Sequence, residues 1–143
     1  MRPLYESQKD LGNEREVVER LSLKTRHSFQ KLPIKYHLDY ARINESGHIV
    51  SFIEIKCRRE PYETFLRYKT YMISLDKLMK ARDMCSMTGA SFAIILRTGE
   101  GRLFYCLNPK PKHYGIGTNK QRNDQGDVEP CGYIDIADFK EIS

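Results

Sequence analysis

The sequence contains no tryptophan, only four cysteines and no long run of apolar residues. The cysteines are scattered singly, without the CxxC spacing that commonly holds zinc, so neither a zinc site nor a disulfide-rich miniprotein is expected. No apolar stretch approaches the roughly 20 residues that a transmembrane helix requires. Of the 143 residues, 40% are hydrophobic and 30% charged, which excludes a disordered or collagen-like chain. The length predicts a single domain over residues 1–143.

Positive charge is in modest excess, with a formal net charge of +5. Such an excess fits an anionic partner, of which nucleic acid is the commonest; solubility alone is the alternative. The first ten residues lack the apolar core of a secretory signal. We therefore expect a cytoplasmic protein with free thiols and no membrane partner.

The spacing of apolar residues predicts an α/β fold with a central mixed β-sheet flanked by helices. A first helix is predicted over residues 6–26, and a hairpin follows, with strands over 32–43 and 48–57 around a turn at 44–47. The second of these strands is almost fully apolar, which is typical of a strand covered on both faces. A connection is predicted over 58–70, followed by a second helix over 71–88 that Ser74 caps and Gly89 ends. Two strands are then predicted over 92–97 and 103–107. A long basic loop over about 108–130 follows, and the last segment, 132–142, is predicted to form a strand with a helical turn.

Charged side chains in the predicted hairpin stand where apolar ones are expected. Glu54 and Lys56 share one face of the most hydrophobic strand, and burying them costs several kcal/mol unless they are paired or coordinated. If the turn closes symmetrically, paired residue numbers sum to about 91 and Asp39 lies one diagonal step from Glu54. Two carboxylates at that distance repel each other, and a divalent cation such as magnesium or manganese relieves the repulsion.

A third acidic residue lies on the first predicted helix. Glu14 stands three and four residues before Val17 and Val18, so it shares the inward side of that helix. It is a candidate member of the same site, and a solvated surface residue is the alternative. Alternatively, Glu54 and Lys56 form a simple ion pair at the strand edge. The alternative for Asp39 is a turn residue or an ordinary residue in the pairing of the two strands.

These residues resemble the signature of the PD-(D/E)XK nuclease superfamily. Asp39 is followed fifteen residues later by Glu54-Ile55-Lys56, which is similar to its D…ExK motif, and residues 12–18 resemble the first helix of Holliday-junction resolvases. The resemblance covers roughly residues 10–107, including the order of elements, and it implies a restriction-endonuclease-like core of the αβββαβ type. Leu38 stands where the family name has proline, at a position that varies widely within the family.

The resemblance implies metal-dependent hydrolysis of a phosphodiester. Asp39 and Glu54 would hold one or two Mg²⁺ (or Mn²⁺) ions, with the carbonyl of Ile55 as a further ligand, and Glu14 would bind metal directly or through water. Lys56 would orient or help deprotonate the attacking water and stabilise the negative charge of the transition state.

Further residues are predicted to bind the substrate. Arg58 and Arg59 directly follow the E-x-K strand, and family members often place a Lys or Gln at the start of the second helix, where this chain has Lys69, Tyr71, Ser74 and Lys77. A helix N-terminus there also favours phosphate. Solvated surface charge is the alternative for each. The basic loop at 108–130 either clamps a nucleic-acid backbone or only aids solubility.

The sequence therefore predicts a Mg²⁺-dependent endonuclease acting on DNA, in repair, recombination or phage DNA processing, with some specificity for DNA structure. If a phage encodes it, the host cytoplasm is its location. A homodimer would pair two sites and so cut two strands. The first alternative is a non-catalytic nucleic-acid-binding module of the same fold; the second is an unrelated basic protein that binds RNA or another protein.

Overall fold

The computed structural model describes residues 8–117 and 128–142, with side chains from residue 13 onward in the first helix. This part of the chain forms three α-helices, α1 (Gln8–Thr25), α2 (Tyr62–Tyr68) and α3 (Leu75–Thr88). Its nine strands are β1 (Ser28–Lys31), β2 (Tyr40–Ile43), β3 (Ile49–Cys57), β4 (Thr70–Ser74), β5 (Ser91–Arg97), β6 (Leu103–Leu107), β7 (His113–Gly117), β8 (Glu129–Asp135) and β9 (Lys140–Ile142). No helix in the described residues is long and apolar enough to cross a membrane.

Six strands form a central mixed sheet in the order β1-β2-β3-β5-β6-β9. β3 and β5 pair in parallel, and the other neighbours pair antiparallel. One face packs against α1, where Val17 and Leu21 meet Ile53 and Ile55 of β3. The other face is covered by α3 and the second sheet, so β3 is covered on both sides as its composition predicts. The α/β fold with a mixed central sheet flanked by helices is thus confirmed.

A second, three-stranded antiparallel sheet has the order β4-β8-β7. Tyr71 and Ile73 of β4 and Ile134 of β8 are buried in the same cluster as Phe92 and Ile94 of the central sheet. This small sheet therefore contributes one wall of the main core.

Several local predictions are confirmed. Helix α1 lies within the predicted range, and β3, β5 and β6 match their predicted strands to within one residue. Ser74 caps α3, since its Oγ accepts the Asp76 amide at 3.2 Å. Gly89 ends α3 in the left-handed conformation, at φ 74°.

The continuous strand predicted over 32–43 is wrong in its first half. Pro33 opens a short 3-10 helix at Ile34–Tyr36, and His37 then takes a left-handed φ of 63°. The strand begins only at Tyr40. Proline has no amide hydrogen for a sheet ladder, which explains the interruption. The preceding strand β1 was not predicted, because it is a four-residue strand at the sheet edge and none of its residues is fully buried.

The hairpin register also differs from the prediction. Tyr40 pairs with Ile53, so residue numbers sum to 93 rather than about 91. The turn closes with the Asn44 amide bonded to the His48 carbonyl at 3.0 Å, around Gly47 at φ 82°, and a bulge between Arg42 and Ile43 adds a further shift. Continued by one residue, this register places Asp39 directly opposite Glu54.

Two more predicted segments are replaced by other elements. The connection over 58–70 contains α2, which follows Pro61 and ends at Lys69 with φ 68°. The start of the predicted helix over 71–88 is instead strand β4, which pairs with β8.

The long loop predicted over 108–130 contains β7 and the first residues of β8, while residues 118–127 lie outside the described part. The segment 132–142 forms the rest of β8, a 3-10 turn at Ile136–Asp138 and β9. The predicted helical turn is therefore confirmed, and the predicted last strand is two strands.

Candidate active site

Asp39 lies immediately before β2, at the end of a loop that is closed at its base. Its backbone carbonyl accepts the Leu32 amide at 2.9 Å. Its side-chain Oδ2 accepts the amide of Ile55 at 2.8 Å. The carboxylate is therefore tied to the strand that carries Glu54 and Lys56.

Glu54 lies at the centre of this site with no exposed surface. Burial raises the pKa of its carboxyl from 4.5 to about 7, because the charged form is poorly solvated. The positive charge of Lys56 lowers that pKa, whereas the negative charge of Asp39 and a hydrogen bond with Asp39 raise it. The two carboxyl groups converge, as the sequence predicts.

Two lysines face the Glu54 carboxylate. Lys56 Nζ lies 3.7 Å from Oε2, on the same face of β3, and its side chain is 27% exposed. Lys77 Nζ comes from the first turn of α3 and lies 3.0 Å from Oε2 and 3.3 Å from Oε1. It also donates to the backbone carbonyl of His37. Glu54 is thus held between a nearly buried ammonium group from α3 and a more open one from β3.

Glu14 occupies a different position. It is buried on α1, and its Oε1 lies 3.6 Å from Lys31 Nζ. α1 packs against the face of the sheet that carries Ile53 and Ile55, whereas Glu54 points to the opposite face. Among the described residues, no three His, Cys, Asp or Glu side chains are grouped closely enough to hold a metal ion. The structure therefore assembles two of the three predicted acids, and Glu14 is not brought into that pair.

The chemistry of the pair nevertheless fits a hard divalent cation. Two carboxylates converge, and Glu54 Oε2 has ion-pair contacts but no hydrogen bond of acceptable geometry within the described residues. Magnesium is commonly held by one or two carboxylates, with waters and substrate phosphate oxygens completing its shell. A complete protein cage is not required for that mode of binding.

Comparison with known families agrees with this geometry. A family model described as "Phage putative PDDEXK endonuclease" matches residues 1–142. The chain belongs to this PD-(D/E)XK family. Comparison with curated proteins and with solved structures returned no match.

In this PDDEXK protein, three of the predicted substrate-binding residues are exposed. Arg58 and Arg59 follow β3, and Lys69 ends α2. Arg58 Nη2 donates to the Tyr71 hydroxyl at 3.4 Å, and its guanidinium lies 5.9 Å from that ring. These cations are placed where a nucleic-acid backbone could reach them.

The other predicted substrate-binding residues have internal contacts. Tyr71 and Ser74 lie in β4 rather than in a helix, and both are buried. The pKa of Tyr71 is raised, chiefly by burial. Ser74 Oγ donates to Glu129 Oε2 at 3.2 Å in addition to capping α3. Lys77 faces Glu54 and so belongs with the acidic pair.

One polar contact of the PDDEXK site was missed by the sequence analysis. His37 Nδ1 lies 3.5 Å from Asp76 Oδ2, which joins the loop before Asp39 to the first turn of α3. Only tertiary packing brings these residues together, and no spacing in the sequence signals the contact.

Proposed function

We propose that the protein is a divalent-metal-dependent endonuclease that hydrolyses phosphodiester bonds in DNA. The observation that carries this proposal is the convergence of Asp39 and fully buried Glu54, with the ammonium groups of Lys56 and Lys77 within 4 Å of Glu54. A fully buried carboxyl group beside a second, half-buried one is costly for a purely structural role, and membership of the PDDEXK family supports the nuclease hypothesis.

Asp39 and Glu54 would hold the metal, Mg²⁺ or Mn²⁺, with the Ile55 carbonyl as a further candidate ligand. When bound, such an ion acts as a Lewis acid and makes hydroxide available near neutral pH. We leave Glu14 out of this metal site, because α1 packs on the other face of the sheet and Glu14 is the counter-ion of Lys31.

Lys56 is the residue we assign to the attacking water. Its amino group is partly open to solvent while remaining 3.7 Å from Glu54, so it can hold a water at the edge of the acidic pair. Its positive charge also offsets the negative charge that develops on the phosphate in the transition state. Lys77 is nearly buried and positions Glu54.

The DNA backbone would be bound by exposed cations on several parts of the surface. Arg58, Arg59 and Lys69 lie at the ends of β3 and α2, and Lys110 and Lys112 precede β7. Lys112 is also paired with Asp135 at 3.2 Å. Phosphate contacts of this type give affinity without sequence preference, and they weaken as salt rises.

Nuclease assays of the purified protein test the proposal. Linear duplex, single strand, flap, four-way junction and RNA are incubated with Mg²⁺, Mn²⁺ or EDTA. We expect metal-dependent cutting of DNA by the wild type, no detectable cutting by Glu54→Gln, and a loss of at least about 100-fold in Lys56→Ala. Lys80→Ala changes an exposed lysine of α3 and serves as the control, with activity close to wild type.

A second readout is independent of cutting. Mn²⁺ should raise the melting temperature of the wild type and of Lys80→Ala, but not of Glu54→Gln, because a ligand that binds only the folded state stabilises it. A folded wild type that neither cuts nor is stabilised by metal contradicts the proposal. DNA binding without either effect would instead indicate the non-catalytic binding module.

We place this activity in phage DNA processing, repair or recombination, inside the host cytoplasm. A homodimer would supply one site for each strand of a duplex. Sedimentation in the presence of DNA tests that arrangement.

A further inference from the structure

The loop that ends at Asp39 carries two apolar side chains away from the core. Leu38 is 2% exposed and Leu32 packs beside it against the core, so the base of the loop is anchored. Between them, Ile34 is 67% exposed and Tyr36 is 42% exposed. The 3-10 helix at Ile34–Tyr36 contains no buried residue, so these side chains are not needed to complete the core.

The loop is rigidly held in spite of its exposure. The Tyr36 amide donates to the Pro33 carbonyl and the His37 amide to the Ile34 carbonyl, each at 3.0 Å. Leu32 and Asp39 close the base, and Lys77 holds the His37 carbonyl from the side. The loop is therefore held at its 3-10 helix, at its two ends and through the His37 carbonyl. A loop held in this way loses little further conformational freedom when its side chains bind a partner.

The chain keeps Tyr36 within a short distance of Asp39. Three peptide units separate Tyr36 from Asp39, so their Cα atoms lie within about 11 Å of each other. Because successive bases of one strand are spaced about 3.4 Å apart, that reach corresponds to about three nucleotides. The Lys35 ammonium lies 5.2 Å from the centroid of the Tyr36 ring, which adds positive charge next to the ring.

We propose that Tyr36, with Ile34 exposed near it, forms a base-contacting tip whose ring stacks on an unpaired base within about three nucleotides of the scissile phosphate. This proposal rests on the nuclease function proposed above and names its substrate class. The favoured substrate is DNA in which a base beside the cut has already left the helical stack.

The preference follows from the cost of exposing a base face. A continuous duplex presents base edges and phosphates but no free base face, and unstacking one step costs a few kcal/mol. A flap or gap offers that face without the cost. Aromatic side chains stack on any base, so the tip selects DNA structure rather than sequence.

Binding measured without cutting tests the proposal. Fluorescence anisotropy in EDTA compares a fluorescein-labelled duplex that carries a single-stranded flap with a continuous duplex of equal length. We expect wild type to bind the flap more tightly, and Tyr36→Ala to lose about 5- to 100-fold in affinity for the flap but less than about 2-fold for the duplex. Ile34→Ala should lose part of the preference, and Tyr36→Phe should keep it, because the ring is retained.

A matched control comes from the far end of α3. Met87 is 88% exposed, and it lies ten residues along the helix from Lys77, a rise of about 15 Å. Met87→Ala should bind both DNAs like wild type. 2-Aminopurine placed one to three nucleotides from the flap junction should change its fluorescence on binding of wild type but not of Tyr36→Ala.

The outcomes separate this proposal from the nuclease proposal. Three results would overturn the base-contacting tip. The first is that Tyr36→Ala binds the flap DNA as tightly as wild type does. The others are that Tyr36→Ala loses the same affinity for both DNAs, or that wild type binds neither DNA. If wild type cuts DNA with metal while Tyr36→Ala keeps the flap preference, only the tip is refuted. If wild type never cuts but its flap preference depends on Tyr36, the nuclease proposal fails and the tip remains.

Discussion

Oδ2 of Asp39 accepts the backbone amide of Ile55 at 2.8 Å, so the first acid of the site is bonded to the strand that carries the second. The bond lies at the point where the hairpin register would put Asp39 opposite Glu54. The separation of the two carboxylates is consequently set by a backbone hydrogen bond as well as by side-chain rotamers. This relationship distinguishes two substitutions at Asp39 that would otherwise be equivalent.

Asp39→Ala and Asp39→Asn should differ in stability but not in activity. Both remove the carboxylate, so both should abolish cutting. Asparagine retains an oxygen that can accept the Ile55 amide, whereas alanine leaves that amide without its partner, at a cost of about 1–3 kcal/mol. Urea unfolding should therefore show Asp39→Ala to be the less stable of the two, and equal stabilities would contradict the role of the hydrogen bond.

The stability of the metal-free protein should fall between pH 4.5 and about 7 because of Glu54. The folded pKa is raised to about 7 from an ordinary value of 4.5, so the folded state holds the proton over a range where the unfolded state releases it. The contribution is fully present below pH 4.5 and is lost as pH rises through about 7. At about 1.4 kcal/mol per pKa unit, the upper bound on this contribution is about 3–4 kcal/mol. The measurement is the free energy of unfolding by urea in EDTA, taken as the value for wild type minus the value for Glu54→Gln at each pH. This difference should decrease as pH rises, and an increase with pH would contradict the prediction.

Lys77→Ala should move this pH window upward. The positive charge of Lys77 lowers the pKa of Glu54 from a distance of 3.0 Å, so its removal leaves the carboxylate harder to ionise. The same unfolding series in EDTA should show the stability loss at a higher pH than in wild type. Lys80→Ala, on the exposed side of the same helix, should leave the window in place, and a downward shift in Lys77→Ala would contradict the assigned contact.

Gly99→Ala should be strongly destabilising. A Cβ atom at this position would lie 2.0 Å from the carbonyl oxygen of Arg59, and the Gly99 amide already bonds the Glu60 carbonyl at 2.9 Å. Relieving the overlap requires a backbone shift, which we expect to lower the free energy of unfolding by about 1–3 kcal/mol or more. Gly115→Ala is the comparison, since its Cβ would lie 3.2 Å from a ring atom of Tyr133, a side chain that can adjust. Chemical denaturation of both variants should rank Gly99→Ala well below Gly115→Ala.

The parts of the fold that the sequence predicts are those with local signals. β3 is mostly apolar, apart from Ser51, Glu54 and Lys56, because both its faces are covered. Ser74 and Gly89 mark the ends of α3. β4 carries no such signal. It is a strand because Tyr71 pairs with Ile134, a residue 63 positions further along, and local periodicity cannot detect that partner.

The same distinction applies to the site. Glu54 and Lys56 can be recognised from the sequence because they are charges on a buried strand. The hairpin predicts that Asp39 lies near Glu54, although the bulge and the Asn44–His48 turn change the sum of paired residue numbers by two. Lys77 was placed at the start of a helix, but its contact with Glu54 depends on how that helix crosses the sheet. The position of Glu14 on the opposite face from Glu54 depends on the same packing.

The hydrogen bond between the Leu32 amide and the Asp39 carbonyl joins the two ends of the intervening loop. Its ends are fixed by the core and by the sheet, so residues 33–36 can change during evolution without displacing Asp39. Relatives with the same acidic pair should therefore diverge most freely at residues 33–36. In the nuclease proposed above, a different segment grafted between the same two anchors would change which DNA is bound and leave Asp39 and Glu54 in place.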